Sequence, residues 1–196
     1  MEVVMQLLCM KGYEMQKVHC VKITTNSVVL DNKRLQTSFS GQKMLKEIYQ
    51  QYIGNYPRFH KMDILCQLGF ISSELLLDTE GEDRFIECMD RAIIIYGRNA
   101  SVVADRNYQQ TISDLNAFYP SPSFFVYTLP NIVAGEIALR NHVHGETAYI
   151  AVENKDQMVE HIECFIETAH HINSILCGWV DATSINEFEV EMWIIK

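Results

Sequence analysis

Apolar and polar positions change period several times along the chain, and each change marks an element. Residues 18–23 and 27–30 are short runs rich in valine and isoleucine, separated by Thr24, Thr25 and Asn26. That spacing predicts a hairpin. Residues 42–52 and 59–77 read as helices; the second carries Met62, Leu65, Cys66, Gly69 and Phe70 on one side. Further leucine and isoleucine give it more than one apolar face, so it is expected to pack against a sheet. Residues 91–96 contain the continuous apolar run AIIIY, which suits a central strand ended by Gly97. Residues 101–112 form a polar helical stretch, and residues 118–128, with Pro120, Pro122 and several aromatics, read as an irregular connection.

The last third has the clearest periodicity. A strand over 147–152 leads to a helix over 155–172, in which Met158, Val159, Ile162, Phe165, Ile166, Ala169 and Ile172 recur at three- and four-residue intervals. Strands over 174–182 and 188–195 follow. In the second, Glu187, Glu189 and Glu191 alternate with Phe188, Val190 and Met192, the pattern of an edge strand with a solvent face. Strand-like and helix-like segments alternate throughout, which predicts an α/β layered domain.

Composition narrows the function. The chain has 196 residues, 48% hydrophobic and 21% charged, enough for one sizeable core and without a linker between two. A formal net charge of −9 and no basic stripe disfavour a sequence-independent grip on nucleic acid. No apolar run reaches the roughly twenty residues of a membrane span, and the N-terminus lacks a basic leader and a cleavage site. A soluble, cytoplasmic protein is expected. The six cysteines (9, 20, 66, 88, 164 and 177) show no CxxC spacing, and most sit among apolar neighbours as small core side chains do. No metal and no cofactor is implied.

One stretch, TLPNIVAGEIALRNHVHG at residues 128–145, says more. Pro130 suits a first helical position, so a helix is expected to start there. Ile132, Ala134, Gly135, Ala138 and Leu139 place small and apolar side chains at near-helical spacing, offering a face that another backbone can approach closely. Gly145 then turns the chain into the strand over 147–152.

This order of residues resembles the segment leading to the nucleophile in β-ketoacyl-acyl carrier protein synthases, the condensing enzymes of fatty-acid and polyketide assembly. There a proline-asparagine pair opens a helix with a small residue where Gly135 stands, and an isoleucine-alanine-x-arginine sequence stands where Ile137 to Arg140 stand. A glycine turns that chain into a buried strand ending at a cysteine. Here the cysteine's position falls on Asn154, or on Glu153 with one residue deleted. The resemblance covers roughly residues 18–185. The segment over 101–112 is similar to the family's post-strand region, and ILCGWVDA at 175–182 to a family strand ending in glycines and an acidic residue.

The resemblance implies a thiolase-like half-unit of βαβαβαββ type: a mixed sheet of about five strands flanked by helices, with residues 147–152 near its centre or at a dimer seam. Residues 15–196 would form this single synthase-like domain and residues 1–14 an N-terminal extension, with Met1 or Met15 as the start. The family repeats the unit twice, and the present length holds one. The absent half would carry the two histidines that polarise the thioester carbonyl and assist decarboxylation. His142 and His144 flank the turn before Gly145, and His170 and His171 end a helix, so neither pair matches that motif.

No catalytic residue is therefore expected. A condensing thiolate needs the field of a helix N-terminus. Asn154 supplies an amide there, and with Gln157 three positions on it forms a capping-box-like pair. Chain-length-factor and loading-domain relatives also carry an amide at this position, usually the longer glutamine. Cys164, inside a helix, and Cys177, inside a strand, lack such a field. Asp181 with the Glu187–Glu189–Glu191 run is a carboxylate cluster on a solvent face. The expected function is a non-catalytic synthase-like accessory subunit in fatty-acid, polyketide or polyene-pigment biosynthesis, a homodimer or a heterodimer with a complete ketosynthase, with acyl carrier protein as a further partner. The alternative is a 3-oxoacyl-acyl carrier protein synthase or acyltransferase whose missing residues come from a partner chain. In the family a segment equivalent to 118–128 reaches across the dimer axis; an aromatic loop covering the domain's own core is the other reading.

Overall fold

A computed structural model describes residues 17–114, 116 and 118–196. The expected extension over 1–14, Met15 and Cys9 lie outside the described residues. The chain runs β1 (Lys17–Thr24), β2 (Ser27–Leu30), β3 (Lys33–Arg34), α1 (Gly41–Tyr52), a 3-10 turn (Pro57–Lys61), α2 (Ile64–Leu77), a second 3-10 segment (Asp78–Phe85), and β4 (Arg91–Gly97). It continues through α3 (Val102–Ile112), α4 (Pro122–Val126), α5 (Ile132–Arg140), β5 (Thr147–Ala151), α6 (Lys155–Thr168), β6 (Ser174–Ser184) and β7 (Glu187–Ile195).

All seven strands form one sheet in the order β3-β2-β1-β7-β6-β4-β5. The sheet has seven strands where about five were expected: β1, β4, β5, β6 and β7 with their intervening helices follow a βαβαβαββ order, and β2, the second strand of the expected hairpin, and β3 add two at one edge. β4 runs parallel to both β5 and β6, while β7 is antiparallel to β6 and to β1. The sheet is mixed, as expected. Strands 147–152 and 174–182 do share it, yet β5 lies at its edge rather than its centre.

Each face carries its own core. Val21, Ile23, Ile93, Ile95, Leu176, Val180, Val190 and Met192 pack against α1, α2 and α5. On the other face Ala92, Ile94, Tyr96, Ile175, Cys177 and Trp193 meet Met158, Ile162 and Ile166 of α6. Strand alternation explains the split, because successive side chains point to opposite faces. It also corrects the reading of β7, which is a central strand. Glu189 and Glu191 alternate with core residues but are met by lysines: Lys22 Nζ lies 2.8 Å from Glu191 Oε1, and Lys155 bonds Glu191 Oε2 at 3.3 Å and also Glu189. The charge pattern of an edge strand is here a neutralised row on the sheet face.

α2 begins at Ile64, later than the apolar pattern from Phe59 suggests. Asp63 explains the boundary: its side chain accepts from Cys66 N at 2.9 Å and Leu65 N at 3.4 Å, capping the helix. All fourteen residues of α2 are buried. Gly69 is required where α5 crosses, because the Val133 side chain occupies the place a Cβ would take. α5 also starts later than Pro130, and it buries Val133, Ala134 and Ile137. Gly135 faces open space and Leu139 is 59% exposed, so the small residue for close approach sits on α2, not on α5.

α6 ends at Thr168, four residues early, as Ala169 leaves helical angles while Ala169 and Ile172 stay buried. The connection over 118–128 contains the short helix α4, whose Ser121 N-cap side chain accepts from Phe124 N. Of its aromatics Tyr127 packs against the core, while Phe118, Tyr119, Phe124 and Phe125 are exposed. Among the described residues no helix is long and apolar enough to cross a membrane.

Candidate functional site

The parallel strands β4, β5 and β6 end on the same side of the sheet, the usual place for chemistry in open α/β sheets. Three loops are tied together there. Val152 N donates to Gly97 O at 3.1 Å, and Arg98 Nε donates to Glu153 O at 2.8 Å, joining the ends of β4 and β5. Asp181 of β6 closes the group: its Oδ1 accepts from Arg98 N at 3.0 Å and Asn99 N at 2.8 Å, and its Oδ2 from Asn99 Nδ2 at 2.7 Å. Ala100 adopts φ +48°, a left-handed turn that the Asp181 bonds hold. Asp181 is therefore a loop organiser, not part of a working carboxylate cluster with Glu187, Glu189 and Glu191.

α6 starts from this junction. Asn154 is extended, at φ −155° and ψ 172°, and its side-chain oxygen accepts from Gln157 N at 3.0 Å. Gln157 Oε1 in turn accepts from Glu153 N at 2.9 Å. The reciprocal pair satisfies two backbone donors at the end of the helix, which is what the sequence pattern suggested. Glu153 and Asn154 are both exposed. An amide can cap these donors, but it has no sulfur with which to form a thioester.

Other candidates lie elsewhere. Cys164 is exposed on α6, ten residues beyond its cap, and Cys177 is buried within β6. His142 and His144 are exposed beside the turn, with His142 at φ +51°. His170 and His171 follow the end of α6, and His171 Nε2 lies 3.3 Å from Glu146 Oε1. No group of three or more His, Cys, Asp or Glu side chains among the described residues is placed to hold a metal.

Sequence reasoning missed one ionisable site. A cavity of about 210 Å³ lies between the start of α2, α3 and α4, lined among others by His60, Asp63, Asn107, Phe124 and Tyr127. Burial, opposed by the N–H bonds of Cys66 and Leu65 and aided by the charge of Asp105, pushes the Asp63 carboxyl up from 3.8 to about 6. Burial likewise raises the thiol of Cys66 and pushes Tyr127 up to about 12. An aspartate standing directly before the run ILCQL was the available sign of the cap.

No protein-family model matches the chain, and no curated protein matches it. Solved structures match it in fold. The ishigamide ketosynthase/chain length factor superposes with a TM-score of 0.67 at 12% identity, over 93% of this chain and 62% of that one. The ketosynthase ApeO in complex with its chain length factor ApeC, from Xenorhabdus doucetiae, gives 0.61 at 9% identity, over 94% of this chain and 79% of that one. The chain thus spans less than two thirds of the first of these structures. The fold is the thiolase-like fold of ketosynthase and chain length factor proteins.

Proposed function

We propose that this protein is a non-catalytic, chain-length-factor-like subunit that pairs with a complete ketosynthase in polyketide, polyene-pigment or fatty-acid assembly. The observation that carries the reading is the start of α6, where Asn154 stands in the cap with its oxygen engaged by Gln157 N. Condensation requires a sulfur that attacks a thioester carbonyl and leaves again; an amide in a cap does neither. What such a subunit contributes is shape and contact surface.

The pairing is supported by the matched complex, in which a ketosynthase is bound to its chain length factor. On this chain two features favour an interface. β5 ends the sheet, so its outer row of backbone donors and acceptors faces away from β4. Phe124, Phe125, Val126 and Leu129 are each 43% or more exposed, more apolar surface than an isolated turn needs. A partner strand laid along β5 and a partner surface over residues 124–129 would cover both.

Co-expression with a complete ketosynthase and its acyl carrier protein tests the proposal. The expected result is a one-to-one complex by light scattering, with condensation dependent on the ketosynthase cysteine and no acyl adduct on this chain by mass spectrometry. A strict monomer with every ketosynthase tried removes the subunit reading. Turnover or acylation of this chain alone would instead establish it as an enzyme in its own right.

A further inference from the structure

The cavity between the start of α2, α3 and α4 has an apolar floor and an open rim. Met62, Ile64 and Ala104 are buried in the floor, while His60, Lys61 and Phe124 on the rim meet solvent. Its volume of about 210 Å³ exceeds the roughly 150 Å³ that encloses a benzene ring in an apolar protein cavity, so one substituted ring fits. One acceptor in the walls has capacity to spare. Asp63 lines the cavity and keeps part of its surface accessible. Its Oδ1 accepts from Cys66 N at 2.9 Å, but among the described residues Oδ2 is met only by Leu65 N, at 3.4 Å, beyond the usual length of such a bond. A carboxylate oxygen accepts from two donors, so Oδ2 can take another from whatever occupies the cavity.

Charge selects against ions of either sign. A cation would meet the N-terminus of α2 together with Lys61 on the rim, and an anion would meet Asp63 itself and Asp105, whose charge already acts on that carboxyl. A neutral ligand with one donor avoids both conflicts. Its body is set by the walls, where the apolar floor and the rings of Phe124 and Tyr127 suit a ring of similar size. We propose that this cavity binds a small neutral aromatic alcohol, a single-ring phenol, with its ring against Phe124 and Tyr127 and its hydroxyl donating to Asp63 Oδ2. Burial is what raises the Asp63 carboxyl, and a hydroxyl bonded to Oδ2 restores part of the solvation that burial removes. Every residue involved belongs to this chain, so the inference does not rest on pairing with a ketosynthase.

The test is a titration of the full chain at pH 7.5 with phenol, and with toluene and anisole, which carry the same ring without a hydroxyl proton, followed by amide chemical shifts. Phenol should saturate, with its largest shifts at Val103, Ala104, Phe124 and Tyr127. It should bind at least about tenfold more tightly than either analogue, because a hydrogen bond to a charged acceptor contributes that factor or more. Asp63→Asn keeps a capping oxygen but exchanges the charged acceptor for a neutral amide, so phenol's advantage should fall below about threefold. Benzoate and benzylammonium, the same ring with a charge of either sign, should both bind more weakly than phenol. Toluene or anisole binding as tightly as phenol, an advantage that survives in Asp63→Asn, an ion that outbinds phenol, shifts centred elsewhere, or no saturation up to the solubility of phenol each overturns the proposal.

Discussion

Asp63→Asn should stabilise the protein at neutral pH, and by more at pH 7.5 than at pH 5. The ordinary carboxyl value of 3.8 applies to the unfolded chain and about 6 to the folded one. The folded state therefore holds the proton more tightly, and stability falls as pH rises from 3.8 through about 6. At 1.36 kcal/mol per pKa unit the full cost of ionising Asp63 in place approaches ~3 kcal/mol above pH 7, an upper bound because the side chain keeps some contact with its cavity. Roughly half of that is already incurred at pH 5, so about 1.4 kcal/mol of it accrues between pH 5 and 7.5. Asparagine is as good an N-cap as aspartate, so the bonds to Cys66 N and Leu65 N survive in kind. The charge that Asp63 adds to those bonds is worth about 1 kcal/mol and offsets part of the gain. The net expectation is ~1–2 kcal/mol of stabilisation at pH 7.5, a rise in Tm of about 2–8 °C for a chain of this size. Urea unfolding of both proteins at the two pH values measures the difference. A stability gap that does not change with pH, or a variant weaker at pH 7.5, refutes the reasoning.

Three further outcomes are expected. Asn154→Cys, placed at the start of α6, should be alkylated by iodoacetamide at least tenfold faster than Cys164 at pH 7, and faster than Glu153→Cys; a slower Asn154→Cys thiol would show that the helix end does not activate a nucleophile. Glu74→Ala leaves Arg84 and Arg140 without their carboxylate and should cost ~3–5 kcal/mol in urea unfolding, where a loss below ~1 kcal/mol would mean the cluster is solvated. Gly69→Ala forces the Val133 side chain to move and should lose ~1–2 kcal/mol despite alanine's better helix propensity; a stabilised variant would show that α5 can yield.

The α/β order, the hairpin and the periods of β4, α6 and β6 were legible because each rests on a local pattern of side chains alternating or recurring over a turn or two. What local pattern lacks is the identity of the neighbour. Glu187, Glu189 and Glu191 alternate as an edge strand does, yet β7 pairs on both sides, with β1 and with β6. The carboxylates are tolerated because Lys22 of β1 and Lys155 of α6 arrive from distant positions, and no window on β7 contains them. The converse holds for β5, whose apolar run suits a buried strand while the sheet ends there.

The same distinction divides the sites. The cap at Asn154 was readable because both partners, Asn154 and Gln157, lie three residues apart on one turn. Asp63 was half readable: its position before ILCQL marks a helix start, but its raised carboxyl depends on α3 and α4 closing over it. The buried cluster of Glu74 with Arg84 and Arg140 was not readable at all. Within α2 Glu74 is the one charged residue of an apolar helix, and nothing in that helix names the cations that meet it. Its burial is decided by Arg84, ten residues on, and Arg140, sixty-six residues on, whose charges let a carboxylate stay in the interior. A charged residue at a position that periodicity assigns to the core is thus a prompt to look for cations elsewhere in the chain. Here two converge on one oxygen of Glu74, Arg84 at 2.7 Å and Arg140 at 3.4 Å, and removing either partner would leave charge uncompensated in the interior.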